Sequence, residues 1–369
     1  MAAPPASRKR APRLLYCFPR RSTFIERDLQ ALRPYYDLHT FELVRGPAWN
    51  LPLRLLAQLT WLVRNRAWRH DTVCHFSGYH ALLPSLLSRR CFIILAGSDC
   101  ASIPDIGYGD HARRLMGWAS RTAAIHATHL LPVHRSLIER EQGYAEMVPR
   151  RQGIKAFAPG CNTPWTELPY GFDATFWTPG DEERRDEQLF LCVAGPAEPG
   201  NRVHALKGVD LLLDVARRVP EARFAVVGLA DPHAYPDHPP NISFTGRLGA
   251  DALRERYRAA GQYVQWSLSE GMPNALCEAM LCGCIPLVSD ITSMPAIVED
   301  SGLVLAHRDA DAAAALCRVA MGLPPAERQR RRKAARARIT ENYGQERRLQ
   351  GLLAVLGGDA GTTGGQRAH

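Results

Sequence analysis

From Ser267 to Ser289 the chain reads Ser-Leu-Ser-Glu-Gly-Met-Pro-Asn-Ala-Leu-Cys-Glu-Ala-Met-Leu-Cys-Gly-Cys-Ile-Pro-Leu-Val-Ser, the stretch that constrains the fold most. Gly271 and Pro273 turn the chain into a helix, since a proline at the first helical position gives up an N–H that has no partner there. The helix reads Asn274 to Cys282, stops at Gly283 and passes into the apolar strand Ile285–Ser289. Between Gly271 and Ser289 the only charged residue is Glu278. A lone carboxylate on an otherwise apolar helix is costly to bury unless something polar meets it. Glu270 stands in the loop at the mouth of the same helix. A helix starting at Pro273 separates the two carboxylates by roughly 10 Å, at ~1.5 Å rise per residue. That is long for a pair flanking one glycosidic bond, which sits ~5 Å apart in retaining hydrolases. A ligand lying along the helix start fits better, with an anionic group at the N-terminal N–H groups and hydroxyls reaching each glutamate. The alternative is a structural one, a buried helix whose Glu278 pairs with an arginine elsewhere. The stretch alone leaves both open.

At 369 residues the chain has room for two cores of ordinary size. Its composition is that of a soluble globular protein, and no run of about 18 uncharged apolar residues suggests a membrane span. Leu14–Phe18 is too short for the apolar core of a signal peptide, so a cytosolic location is expected. The ten cysteines agree: several lie in apolar runs, and Cys282-Gly-Cys284 has the wrong spacing for zinc. Free thiols packed as small apolar side chains are expected. The net charge of +9 asks for an anionic partner, but nearly all of it is arginine, with lysine only at 9, 155, 207 and 333. The basic run Arg328–Arg338 lacks aromatics and has helical composition, so a solvated face is favoured over a nucleic-acid groove.

Short apolar runs alternate with helix-like segments along the whole chain. Strands are expected at Leu14–Phe18, Leu38–Leu43, Thr72–Ser77, Cys91–Ala96 and around Ala127–Leu131 in the first half. Helices fall between them, among them Phe24–Leu32 and the amphipathic Leu51–Trp68. The second half repeats the rhythm, with strands at Leu189–Ala194, Phe224–Val227, Ile242–Thr245, Gln262–Trp266 and Ile285–Ser289. This is an α/β pattern of two doubly wound halves with mostly parallel sheets. The expected division is a basic N-terminus (1–13), a first domain (14–168), a second domain (169–343), a C-terminal helix crossing back (344–356) and a disordered tail (357–369). Ligands of such sheets bind at the carboxyl ends of the strands, here in an interdomain cleft.

Four further motifs carry chemistry. The loop from Gly195 to Asp210 places Arg202 and Lys207 just before a helix, which suits a diphosphate; the bland reading pairs Lys207 with Asp210. Ala96-Gly-Ser-Asp-Cys100 ends a strand and could aim Asp99 into the cleft, although taken alone an Asx turn or helix cap is favoured. His80 begins a helix at the same edge. Asp309-Ala-Asp311 looks like a metal pair but precedes an alanine-rich helix, so capping is favoured. Leu51–Trp68 carries arginines and tryptophans that could rest on an anionic membrane surface, although packing its leucines onto the sheet is the commoner outcome.

Taken together, Glu270-Gly-Met-Pro-Asn-Ala-Leu-Cys-Glu278 resembles the Glu, seven residues, Glu signature of retaining GT-B glycosyltransferases of family 4. Arg202 with Lys207-Gly-Val-Asp is similar to the phosphate-binding segment of that family, Pro169-Tyr-Gly-Phe-Asp173 to its linker, and Phe244-Thr-Gly-Arg247 to its nucleotide-side loop. The resemblance is weaker in the first half, where Gly97-Ser-Asp99 stands where many members carry a histidine. It implies the GT-B fold and transfer of a sugar from a nucleotide-sugar, with retention of configuration and no obligatory metal or other cofactor. It also implies that Glu270 meets the donor sugar, Glu278 the ribose, and Arg202 and Lys207 the leaving diphosphate. Gly271, Met272, Pro273, Asn274, Gly246 and Arg247 complete the expected donor site, with Asp99 as candidate for orienting acceptor or sugar. A glycan or lipid-linked acceptor in envelope polysaccharide or glycolipid assembly is expected, at the inner face of the cell membrane, and nucleic acid is not. Two other classes stay in view: a GT-B-like sugar-nucleotide epimerase, which needs no acceptor, and a non-catalytic sugar-nucleotide binder.

Overall fold

The computed structural model describes residues 11–358 except 45 and 232; most of the expected N-terminal arm and of the C-terminal tail lie outside them. The first half opens with strand β1 (Arg13–Phe18), helix α1 (Thr23–Leu32) and strand β2 (Asp37–Glu42). It continues with α2 (Leu51–Arg64), β3 (Asp71–His75), α3 (Tyr79–Leu87), β4 (Arg90–Leu95), α4 (Arg114–His126) and β5 (His129–Pro132). The five strands are all parallel, in the order β2-β1-β3-β4-β5. Parallel strands covered on both faces are apolar along their whole length, and Leu14 to Phe18 and Cys91 to Leu95 are buried without a break. Right-handed crossovers put α1 on one face of this sheet and α2, α3 and α4 side by side on the other. Helix α3 accordingly packs against both α2 and α4.

The second half is a six-stranded parallel sheet. Its strands run in the order Ile242–Gly246, Arg223–Leu229, Asp186–Val193, Ala260–Gln265, Ile285–Ser289, Leu303–Leu305. Both sheets reverse strand order beside their first strand, and a reversal opens a crevice at the carboxyl ends. The loop 194–201 and the loop 266–273 leave the two strands that flank the second reversal. The architecture is that of the GT-B fold, as the motifs led one to expect. All ten cysteines are free and buried. Asp309 caps its helix, its Oδ1 accepting from the Ala312 N–H at 2.7 Å.

The halves are fastened at two places. At the cleft their backbones touch: a Cβ on Gly271 would lie 1.9 Å from the Ala96 carbonyl oxygen, and one on Gly97 would lie 2.8 Å from the Gly271 nitrogen. At the back, the segment around Tyr170 and Phe172 and the C-terminal helix Gln345–Gly357 close onto α1. Arg348 on that helix grips Asp28 of α1 with Nε at 3.1 Å and Nη2 at 2.7 Å. Tyr16, His75 and Tyr170 continue the network, with His75 sharing hydrogen bonds with Tyr16 (3.1 Å) and Tyr170 (2.8 Å). Burial pushes the His75 pKa well down, so the ring is neutral and the network's charges are Asp28 and Arg348.

Candidate active site

Strand Ala260–Gln265 is buried throughout and carries two glutamines, unusual cargo for a central strand. Gln265 explains its own presence. Its Nε2 donates to Glu270 Oε1 at 2.7 Å, Ser267 Oγ donates to the same oxygen at 2.7 Å, and Lys207 Nζ does so at 2.6 Å. Three donors on one oxygen hold the carboxylate in a single orientation. Among the described residues none donates to Oε2, which stays available to a ligand hydroxyl. Lys207 ends the short helix Arg202–Leu206 and is followed by Gly208 at φ +70°. A Cβ on Gly208 would sit 2.3 Å from the Trp266 carbonyl oxygen, so only glycine lets this turn close on the strand end and deliver Lys207 to Glu270. The bland pairing of Lys207 with Asp210 does not occur, because Asp210 is taken by Arg308 at 2.5 Å.

Arg202 is exposed at the start of the same helix and reaches across the cleft to the Gly107 carbonyl oxygen at 3.3 Å. Beside Gly107, Tyr108 is tied into a tight turn by two backbone hydrogen bonds with Ile103. Burial, and then the nearby Glu270 carboxylate, hold its pKa far above the ordinary phenol range, so it remains protonated. The first half thus contributes a phenol hydroxyl in the neighbourhood of Glu270.

Asp99 does not face the cleft. It is fully buried, with Oδ2 accepting from the Ser77 N–H (3.0 Å) and Oδ1 from the Ala96 (3.1 Å) and Gly97 (2.9 Å) N–H groups. Burial raises its pKa and these bonds oppose the rise. The carboxylate shapes the turn that sets Gly97 against Gly271, so the expectation that it orients acceptor or sugar is corrected. The sequence shows an Asx turn there, and the turn consumes the side chain. His80 is likewise buried, with Nε2 on the His75 carbonyl oxygen at 2.7 Å.

Glu278 lies away from the Lys207–Glu270 group. It pairs across the halves with Arg27 of α1, at 3.3 Å, which is the structural alternative left open above. Burial pushes its pKa up to about 7 against the pull of Arg27. Asn274 opens the helix Asn274–Leu281, with Pro273 one residue before it as N-cap. Met272 turns its sulfur to the Tyr170 N–H at 3.3 Å, so this side chain serves the junction between halves and only its backbone lies at the site. Gly246 and exposed Arg247 end the edge strand, three strand spacings or about 14 Å from the strand that leads to Glu270. A small cavity of about 20 Å³, room for a single water, lies between the halves beside the Gly97 contact, with Ser136, Arg140, Ser269 and Thr292 in its wall.

Sequence reasoning missed Gln265, Ser267, Tyr108 and Arg27. A polar amide in an apolar central strand was a usable signal for Gln265. Nothing marks Arg27, whose partner is 251 residues away.

Comparison with known proteins points the same way. Residues 199–321 match the family model described as Glycosyl transferases group 1. A D-inositol 3-phosphate glycosyltransferase of Mycobacteroides abscessus is 30% identical over 169 residues, 40% of this chain and 37% of that protein. An O-antigen chain mannosyltransferase B of Escherichia coli is 38% identical over 74 residues, 20% of this chain and 19% of its own length. The matches thus span less than two-fifths of these relatives. Among solved structures, sucrose-phosphate synthase of Thermosynechococcus elongatus superposes with a TM-score of 0.71 at 13% identity, covering 93% of this chain and 98% of that one. HepE of Anabaena in complex with UDP and glucose gives 0.67 at 11% identity, over 94% and 100%. At these identities the structures establish a shared GT-B fold.

Proposed function

We propose that this chain is a retaining, metal-independent glycosyltransferase that moves a sugar from a nucleoside-diphosphate donor to a hydroxyl of a glycan or lipid-linked acceptor. The observation that carries the reading is the Lys207–Glu270 pair at the strand-order reversal, with the second carboxylate oxygen unengaged and a helix N-terminus alongside. The family match over residues 199–321 covers Lys207, Glu270 and Glu278 and supports it. So does HepE, a protein of the same fold that holds UDP and glucose.

In this reading Glu270 Oε2 accepts a hydrogen bond from a donor-sugar hydroxyl. Lys207, Arg202 and the N–H groups around Gly271–Asn274 stabilise the charge that grows on the diphosphate as the anomeric C–O bond breaks. The acceptor oxygen bonds to the anomeric carbon on the face the diphosphate leaves, and the departing phosphate takes the acceptor's proton. Glu278 meets the ribose after giving up part of its contact with Arg27, and Arg247 lies toward the base. Transfer in envelope polysaccharide or glycolipid assembly, on the cytoplasmic side, follows from such an acceptor. No helix of the described residues is long and apolar enough to cross a membrane.

The test is a panel of nucleotide-sugars incubated with and without candidate acceptors, with the product's anomeric configuration read by NMR and a parallel arm in EDTA. Acceptor-dependent product with the donor's configuration, unaffected by EDTA, is expected. Conversion of donor without acceptor to an epimeric sugar-nucleotide would replace transfer by epimerisation. Inversion, or loss in EDTA, would overturn the finer assignment.

A further inference from the structure

Helix α2 was expected to bury its leucine stripe on the sheet. The structure buries Leu62 and Gln58 but leaves Leu53, Leu56 and Val63 on its outer face more than half exposed, at 64%, 58% and 51%. The neighbouring helices do the same. Leu86 and Leu87 project from the end of α3, and Leu115, Trp118 and Ile125 form an exposed stripe on α4. Trp49 and Trp68 flank α2 at its two ends, Trp49 being 77% exposed. All three helices lie in one layer on one face of the first sheet. Their outer surfaces therefore form one apolar face of three helices.

Its charge is one-sided. Residues 46–70, 79–98 and 111–138, which hold the three helices and their flanks, contain ten arginines and no Asp or Glu. Arg89 and Arg90 pair with Asp71 and Arg135 with Glu167, but Arg64, Arg66, Arg69, Arg113, Arg114 and Arg121 have no ion-pair partner among the described residues, whereas arginines elsewhere in the chain are mostly paired. An apolar stripe with tryptophans at its margins and unpaired arginines around it matches a bilayer interface, where the rings sit at headgroup level and the guanidinium groups meet lipid phosphates. A second copy of the chain fits poorly, because a two-fold contact would set this basic face against itself.

We propose that the outer face of α2, α3 and α4 docks the protein onto an anionic lipid surface. The amino ends of α2 and α4 lie at the carboxyl edge of the sheet, so docking sets the mouth of the cleft beside the headgroups. The inference stands on exposure and charge, independently of sugar transfer.

The test is co-sedimentation of the full chain with vesicles of phosphatidylglycerol and phosphatidylcholine, against phosphatidylcholine alone, in low and high salt. Binding to the anionic vesicles, at least tenfold weaker in high salt and on phosphatidylcholine, is expected. A double variant, Leu56→Glu with Trp118→Glu, should keep the wild-type melting temperature, because both residues are exposed, and lose at least tenfold in vesicle binding. A second, Arg64→Glu with Arg114→Glu, guards against misfolding of the first and should lose as much. Equal binding to neutral vesicles, or wild-type binding by both variants, would overturn the proposal. A wild-type dimer that the first variant dissociates, without vesicle binding, would assign the face to self-association instead.

Discussion

Lys207 and Glu270 are each other's nearest charge, 2.6 Å apart, and partly shielded from water. Replacing Lys207 by alanine removes a cation from the expected position of the leaving diphosphate and frees Glu270 to rotate. Turnover should fall about 10²–10³-fold, the usual cost of one donor that stabilises charge developing in the transition state. Steady-state kinetics with the identified donor read this directly. Glu278 makes a separate prediction through pH. Burial raises its pKa from 4.5 to about 7, so between those values the folded protein holds a proton that the unfolded chain has released. Stability therefore decreases as pH rises through that window and levels off above it, by about 3 kcal/mol at most. In Glu278→Gln this slope should flatten, as urea unfolding from pH 4.5 to 7.5 would register; an unchanged slope would mean that Glu278 titrates normally.

At the scale of elements, the helix Asn274–Leu281 and its preceding loop act through backbone as much as side chains. Gly271→Ala adds a methyl group 1.9 Å from the Ala96 carbonyl oxygen, which must retreat by more than an ångström. The strain falls on the backbone contact between the halves rather than within either sheet. Transfer should therefore fall at least tenfold while the melting temperature moves little, and small-angle scattering should register a wider cleft. Elements of this kind were the most legible part of the chain. The alternation of apolar strands with helical segments is written in side-chain periodicity, so the two parallel sheets could be anticipated. Local chemistry was legible where one turn holds it, as with Asp309. It failed where orientation decides: the Gly97–Asp99 turn was visible, but not that its carboxylate folds back onto three N–H groups. Helix α2 also ends at Arg64, earlier than its leucine pattern suggested, because Arg66 adopts a left-handed conformation at φ +51°.

Across the whole molecule, the contacts that join the halves link residues hundreds of positions apart, and no local pattern announces them. Asp28 and Arg348 are each 4% exposed, and together they fasten the C-terminal helix to α1. Asp28→Ala strands a buried guanidinium and should destabilise the protein by about 3–5 kcal/mol, measurable by denaturant unfolding. A change under about 1 kcal/mol would mean that the network does not hold the halves together. In the proposed reaction Glu270, oriented by Gln265, Ser267 and Lys207, receives the donor sugar. The most direct measurement of that role is the transfer rate of Glu270→Gln beside its affinity for the bare nucleoside diphosphate. A loss of at least about 10²-fold in kcat/KM, with nucleotide affinity nearly unchanged, is expected. Wild-type turnover in that variant would contradict that role.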